Sequence, residues 1–104
     1  MSDEAGGGPA PRGPALTLLH RAYCHLCDEM QDALRPIAAA HGATVTIVDV
    51  DAHAELESAW GDSVPALFLG APAPGTLLCR YRLDAARVAE ALRTAALAAT
   101  PDFR

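Results

Sequence analysis

The chain has 104 residues, 51% of them apolar and 20% charged, and its net charge is −5. That is the size and composition of one globular domain, and no apolar run nears the roughly 18 residues needed to span a bilayer. All eight basic residues are Arg, scattered from Arg12 to Arg104, so no concentrated positive face exists for nucleic-acid phosphates.

Met1 to Pro14 holds four Gly and three Pro and no apolar block. It reads as a disordered tail over residues 1–14, and without an apolar stretch after a basic start it does not read as a secretory signal. A cytoplasmic protein is expected. The folded body is expected over residues 15–100, with a short C-terminal tail over 101–104.

Ala15 to His20 (ALTLLH) reads as a buried strand. From Leu26 the period changes. Leu26, Met30, Ala33, Leu34, Ile37 and Ala38 fall at helical spacing and are expected to face inward. Pro36 is expected to kink or break this helix, and Gly42 to stop it. Thr44 to Val50 is rich in β-branched residues and reads as a second strand. Asp51 is the expected N-cap of a helix over residues 52–60, which ends at Gly61. Ala66 to Leu69 and Leu77 to Tyr81 read as short strands joined by the turn GAPAPGT. Asp84 is the expected cap of a last helix whose inner positions are Leu83, Val88, Ala91, Leu92 and Ala95. The order β-α-β-α-β-β-α predicts an α/β fold: one mixed four-stranded sheet with helices on both faces.

Three cysteines, an odd number, do not make a secreted disulfide scaffold. Two of them, Cys24 and Cys27, stand three apart where the first strand passes into the first helix. Free amides at a helix start favour a thiolate, which is the nucleophilic form. Cys24 is expected to be the exposed nucleophile and Cys27, one turn in, the shielded resolving thiol. His25 between them is a further candidate for favouring the thiolate. A zinc site would have to gather His20, His41, His53 or Cys79 from distant elements, since no second C-x-x-C exists. Haem attachment would need His after the second Cys, where Asp28 stands. Cys79, in a strand, is expected to be inert core. Trp60 is expected to pack at a helix end. Tyr23 precedes the nucleophile, a place for a substrate contact or for an ordinary loop aromatic. Pro65, after Ser63 and Val64, opens a strand; only about 5–6% of X–Pro bonds in folded proteins are cis, so trans is the default.

These features together resemble the glutaredoxin family of the thioredoxin fold. The residues that carry the likeness are ALTLLH, Arg21-x-x-Cys24-His25-Leu26-Cys27, the following helix, and Ser63-Val64-Pro65, spanning about Ala15 to Leu97. The chain is similar to small bacterial glutaredoxin-like domain proteins, in which a C-H-L-C motif and a V-D-V-D stretch (Val48 to Asp51) recur. The resemblance implies a thiol–disulfide oxidoreductase with a redox-active disulfide and a cis bond before Pro65. It implies a glutathione or substrate site at Arg21, Tyr23, Val64 and Pro65. No bound cofactor and no metal are implied. Glutathione or a thioredoxin-type protein reductant is the implied co-substrate, a disulfide-containing protein the substrate, and a monomer the acting form. The alternatives of the same fold are a metal- or iron–sulfur-binding module through Cys24 and an adaptor of low turnover. His-Leu replaces the family's usual Pro-Tyr between the cysteines, and Cys79 to Asp84 lacks the usual Gly-Gly, so glutathione binding is expected to be weak and to rest on Arg21 and the Val64 backbone.

Overall fold

In the computed structural model, residues 13–98 are described; apart from Gly13 and Pro14, the two expected tails, with residues 99 and 100, lie outside them. The strands are β1 (Ala15–His20), β2 (Thr44–Asp49), β3 (Ala66–Leu69) and β4 (Leu77–Arg80), and the helices α1 (His25–Ala40), α2 (Ala54–Trp60) and α3 (Ala85–Ala98). They form one mixed sheet in the order β2-β1-β3-β4. β1 and β2 are parallel, with Leu16 opposite Val45 and His20 opposite Asp49. β3 runs antiparallel to β1, and β4 antiparallel to β3, with a bulge between Leu67 and Phe68.

Alternation along the central strand splits the core in two. Leu16 and Leu18 join Met30, Leu34, Leu67, Val88 and Leu92 on the face covered by α1 and α3. Leu19 turns the other way and joins Ala66 and Phe68, with Leu56 and Trp60 packed on them. Trp60 meets Phe68 edge-to-face, ring centres 4.8 Å apart, a favoured aromatic geometry.

Helix α1 departs from expectation in its inner face, and of the kink or break expected at Pro36 the break does not occur. Pro36 is exposed, so the carbonyl four residues earlier, deprived of its N–H partner, is on the water side where it can be hydrated. Ala33 is also exposed, and the buried stripe is Cys27, Met30, Leu34 and Ala38. The inward register thus runs through the second cysteine rather than through Ala33. The helix closes as the sequence suggests: Gly42 adopts φ +63°, its N–H reaches the Ala39 carbonyl, and the Ala43 N–H reaches Ala38. This is the Schellman arrangement that glycine permits without a Cβ penalty.

Asp51 does not cap α2. Residues Val50–Ala52 form a separate 3₁₀ turn, capped by the Asp49 carboxylate through the Asp51 N–H (2.9 Å), and α2 begins two residues later than expected, with no side-chain cap at His53. The Asp51 carboxylate is engaged elsewhere, by Arg21. β4 stops at Arg80 rather than at Tyr81, because Tyr81 sits at φ +69° and leaves the extended region. Asp84 does cap α3, accepting from the Arg87 N–H at 3.1 Å. The GAPAPGT turn contains a 3₁₀ turn (Pro74–Thr76) held by the Thr76 hydroxyl, which donates to the Ala71 carbonyl at 2.6 Å.

Candidate active site

The strand directions decide where the chemistry sits. The C-terminal ends of β1 and β2, the start of β3 and the end of β4 all lie at one end of the sheet, since His20 pairs with Asp49, Leu19 with Ala66, and Ala66 with Arg80. That end therefore carries the loop to Cys24, the Asp49–Asp51 turn, Val64–Pro65 and Arg80–Tyr81. Open α/β folds place sites at such strand ends.

Cys24 is the N-cap of α1. Its backbone is extended (φ −108°, ψ 106°), and its Sγ accepts the Cys27 N–H at 3.1 Å. Its carbonyl accepts the first helical bond, from Asp28, at 3.1 Å. A sulfur at this place receives an otherwise unpaired helix amide and the positive end of the helix dipole, both of which favour an anion. Cys24 and Cys27 are joined by a disulfide, with Cα atoms 5.1 Å apart. Cys27 is 1% exposed, at the top of the buried stripe of α1, whereas Cys24 is partly exposed. His25 is the exposed first residue of α1.

Tyr23, next to Cys24, is fully exposed and holds φ +60°. A bulky residue there is uncommon and costs about 1–2 kcal/mol relative to ordinary backbone. The peptide bond between Val64 and Pro65 is cis. Val64 is extended (φ −78°, ψ 146°), and the Pro65 carbonyl accepts the Tyr81 N–H at 2.8 Å. The Tyr81 hydroxyl donates to the Asp62 carbonyl at 2.8 Å, and Arg80 donates to the Ser63 hydroxyl at 3.3 Å while lying 5.9 Å over the Tyr81 ring. The Pro65 loop is thus tied to the end of β4. A shallow groove beside α1 is lined by Leu26, Glu29 and Met30 on one wall and by Tyr81, Arg82 and Leu83 on the other.

Arg21 leaves β1 three residues before Cys24, but its guanidinium faces Asp51 (3.0 and 3.3 Å), Glu57 (3.4 Å) and the Gly61 carbonyl (3.3 Å). Its pKa is raised, first by the hydrogen bond to Asp51. Spacing could not have revealed this cluster, whose members lie 30, 36 and 40 residues from Arg21. Cys79 is half-buried on β4 and is the free cysteine. Burial raises its thiol pKa, which disfavours the thiolate. Among the described residues no group of three His, Cys, Asp or Glu stands in a metal-holding arrangement, and no helix is long and apolar enough to cross a membrane.

The chain is similar to a Nitrosomonas europaea protein solved by solution NMR, with 26% identity over 88% of this chain and 99% of the other and a TM-score of 0.66. It is also similar to a structural-genomics target protein of X. campestris, 36% identical over 77% and 97% of the two chains, with a TM-score of 0.58. A thioredoxin from Halobacterium salinarum shares the fold at 23% identity, covering 81% of this chain and 75% of its own, with a TM-score of 0.58. No curated protein matches the chain. The model of the glutaredoxin-like domain (DUF836) matches residues 15–93, the segment that carries the sheet and the Cys24–Cys27 disulfide, and the chain belongs to that family.

Proposed function

We propose that the protein is a thiol–disulfide oxidoreductase that reduces disulfides through Cys24 and Cys27. The observation that carries this reading is the Cys24–Cys27 disulfide at the start of α1, with the Cys24 sulfur held by a helix amide. In the reduced protein, the Cys24 thiolate attacks one sulfur of a substrate disulfide. A mixed disulfide forms on Cys24, and the other substrate sulfur leaves as a thiolate and takes a proton from water. Cys27 then loses its proton to solvent and attacks the Cys24 sulfur, which closes the Cys24–Cys27 bond and releases the second substrate thiolate. That thiolate takes its proton from water as the first did, so the substrate gains two electrons and two protons, while the protein loses two electrons and the Cys27 proton, and an external reductant restores them. Glutathione or a thioredoxin-type protein would serve as that reductant.

Tyr23, exposed beside Cys24, and the extended Val64 before Pro65 supply the surface against which a substrate segment would lie. No resident cofactor or metal takes part in these steps, and a monomer suffices. A dithiol that must be kept reduced suits the cytoplasm. The test is to present the oxidised protein either with glutathione or with thioredoxin plus its reductase, and to follow thiol appearance on Cys24 and Cys27. Reduction by one of them, followed by reduction of a protein disulfide, supports the reading. A Cys24–Cys27 bond that neither reductant opens refutes it.

A further inference from the structure

Arg21 has five N–H donors. Nε and one Nη2 donor form a fork on Asp51, Nη2 also reaches Glu57, and Nη1 reaches the Gly61 carbonyl. Such a planar, two-pronged match with a carboxylate is the geometry in which Arg is most firmly held. Among the described residues the cluster is also better shielded than the other ion pairs: Arg21 is 33% exposed, against 66% for Arg35 and 57% for Arg93. Gly61 supplies an independent observation. Its backbone is ordinary (φ −55°, ψ −33°), so glycine is not required for conformation. A Cβ there would lie 2.6 Å from Glu57 Oε2, 3.1 Å from its Cδ and 3.4 Å from Arg21 Nη2. Glycine at 61 lets the Glu57 carboxylate lie directly against the backbone; a side chain there would push the end of Glu57 aside.

The cluster joins four segments: the loop to Cys24, the Val50–Ala52 turn, α2, and the Gly61–Ser63 turn that leads into Val64–Pro65. One positive and two negative groups leave it with a net charge of −1. Across the site, Arg80 keeps its charge beside the uncharged Ser63 and Tyr81, and Arg82 shares its groove with Glu29, so the negative charge is local to the Arg21 flank.

Resting on the dithiol reading above, we propose that Arg21 is a positioning residue and that Asp51 and Glu57 set substrate charge. With its guanidinium occupied, the flank beside Cys24 discriminates against anionic disulfides, such as glutathione disulfide, and favours disulfides whose flanking groups are neutral or basic. The expected substrate class is a protein cystine in an uncharged or basic segment.

The test compares three small disulfides as substrates, with dithiothreitol as reductant: cystamine (cationic), 2-hydroxyethyl disulfide (neutral) and glutathione disulfide (anionic). The wild-type protein is expected to reduce the anionic compound slowest, and the gap should narrow at high salt. The isosteric pair Asp51→Asn with Glu57→Gln should raise the anionic-to-neutral rate ratio about three- to fivefold, the size of one exposed ion pair. Asp32→Asn with Glu90→Gln makes the same change in net charge elsewhere and should leave that ratio alone. Arg21→Gln should lower kcat for all three substrates and, by leaving Asp51 and Glu57 unpaired, lower the anionic-to-neutral ratio as well. If kcat for the cationic and neutral substrates is unchanged in Arg21→Gln, Arg21 is not a positioning residue and the proposal fails; if that variant does not fold, the ratio in the Asp51→Asn, Glu57→Gln protein decides alone. Equal wild-type rates with an unresponsive ratio overturn this inference and leave the dithiol reading standing. A wild-type protein that reduces none of the three overturns both.

Discussion

Helices α1 and α3 pack on the same face of the sheet and start at the same end of it, yet they are capped by different chemistry. The Asp84 carboxylate caps α3, accepting the Arg87 N–H. The Cys24 sulfur caps α1, accepting the Cys27 N–H. A carboxylate is a strong acceptor and a common cap, whereas a thiol sulfur is a weak one. α1 thus gives up capping strength to place a reactive atom where helix amides favour its anion. The third cysteine completes the contrast: Cys79 lies on a strand, five residues before the Asp84 cap of α3, where burial favours the proton on sulfur. One cysteine lies where helix amides favour a thiolate; the other, close to a helix start but not on it, does not.

The largest effect should come from breaking the cap to which the proposed chemistry is assigned. Cys24→Ser is expected to abolish disulfide exchange while leaving the fold intact. Compared with the reduced wild-type protein in denaturant, it should be no less stable, because a hydroxyl caps at least as well as a thiol. Residual exchange in Cys24→Ser would show that the nucleophile lies elsewhere.

Cys27→Ser should retain the attack and lose the resolution, leaving one substrate molecule covalently bound per chain. Mass spectrometry of the digested adduct should place it on Cys24. An adduct on Cys79 would erase the distinction between the two thiols.

The purely structural cap should behave in the opposite sense. Asp84→Ala is expected to cost about 1 kcal/mol of stability, read as a lowered midpoint in urea, with the disulfide-exchange rate retained. Lost exchange at undiminished stability would show that Asp84 acts at the site rather than in the helix.

A smaller effect concerns Cys79 and pH. Burial raises its folded pKa, so the folded state keeps the proton that the unfolded state releases. Its contribution is therefore fully present below the ordinary thiol pKa of about 8.5 and is lost as pH rises through the raised folded value. Cys79→Ala should flatten this alkaline decline in a stability–pH profile. An unchanged slope would mean that burial does not govern this thiol.

The smallest expected effect lies at Tyr23. Tyr23→Gly relieves the φ of +60°, and relief of about 1 kcal/mol is partly offset by the freer unfolded chain. A small rise in melting temperature is expected, together with slower reduction of peptide disulfides if the exposed ring touches substrate.

Much of this molecule is legible as local chemistry. A β-prone run followed by a helical period places Cys24 and Cys27 at a helix start, because both periods are properties of neighbouring residues. Gly42 and Asp84 act where their own φ preference or side-chain reach puts them. Local reading goes astray where a competing partner lies far along the chain. Asp51 looks like a cap because a helix follows it, but Arg21, 30 residues earlier, takes its carboxylate. Ala33 fits a helical stripe, but the packing of α1 on the sheet turns Cys27 inward and Ala33 outward. Pro36 reads as a kink or a break, and its position on the water side of the packed helix lets the helix continue through it.

The sequence by itself determined the order of elements, the helix-capping cysteine and the partner one turn behind it, since each follows from contacts within a few residues. The tertiary structure alone decided which strand ends meet around the disulfide and what Arg21 binds. Parallel pairing of β1 with β2 and antiparallel return through β3 bring Asp51, Glu57 and Gly61 to the guanidinium. Coulombic and hydrogen-bond partners are chosen by distance in space, and distance in space between segments 30 or more residues apart is set only when the sheet has closed.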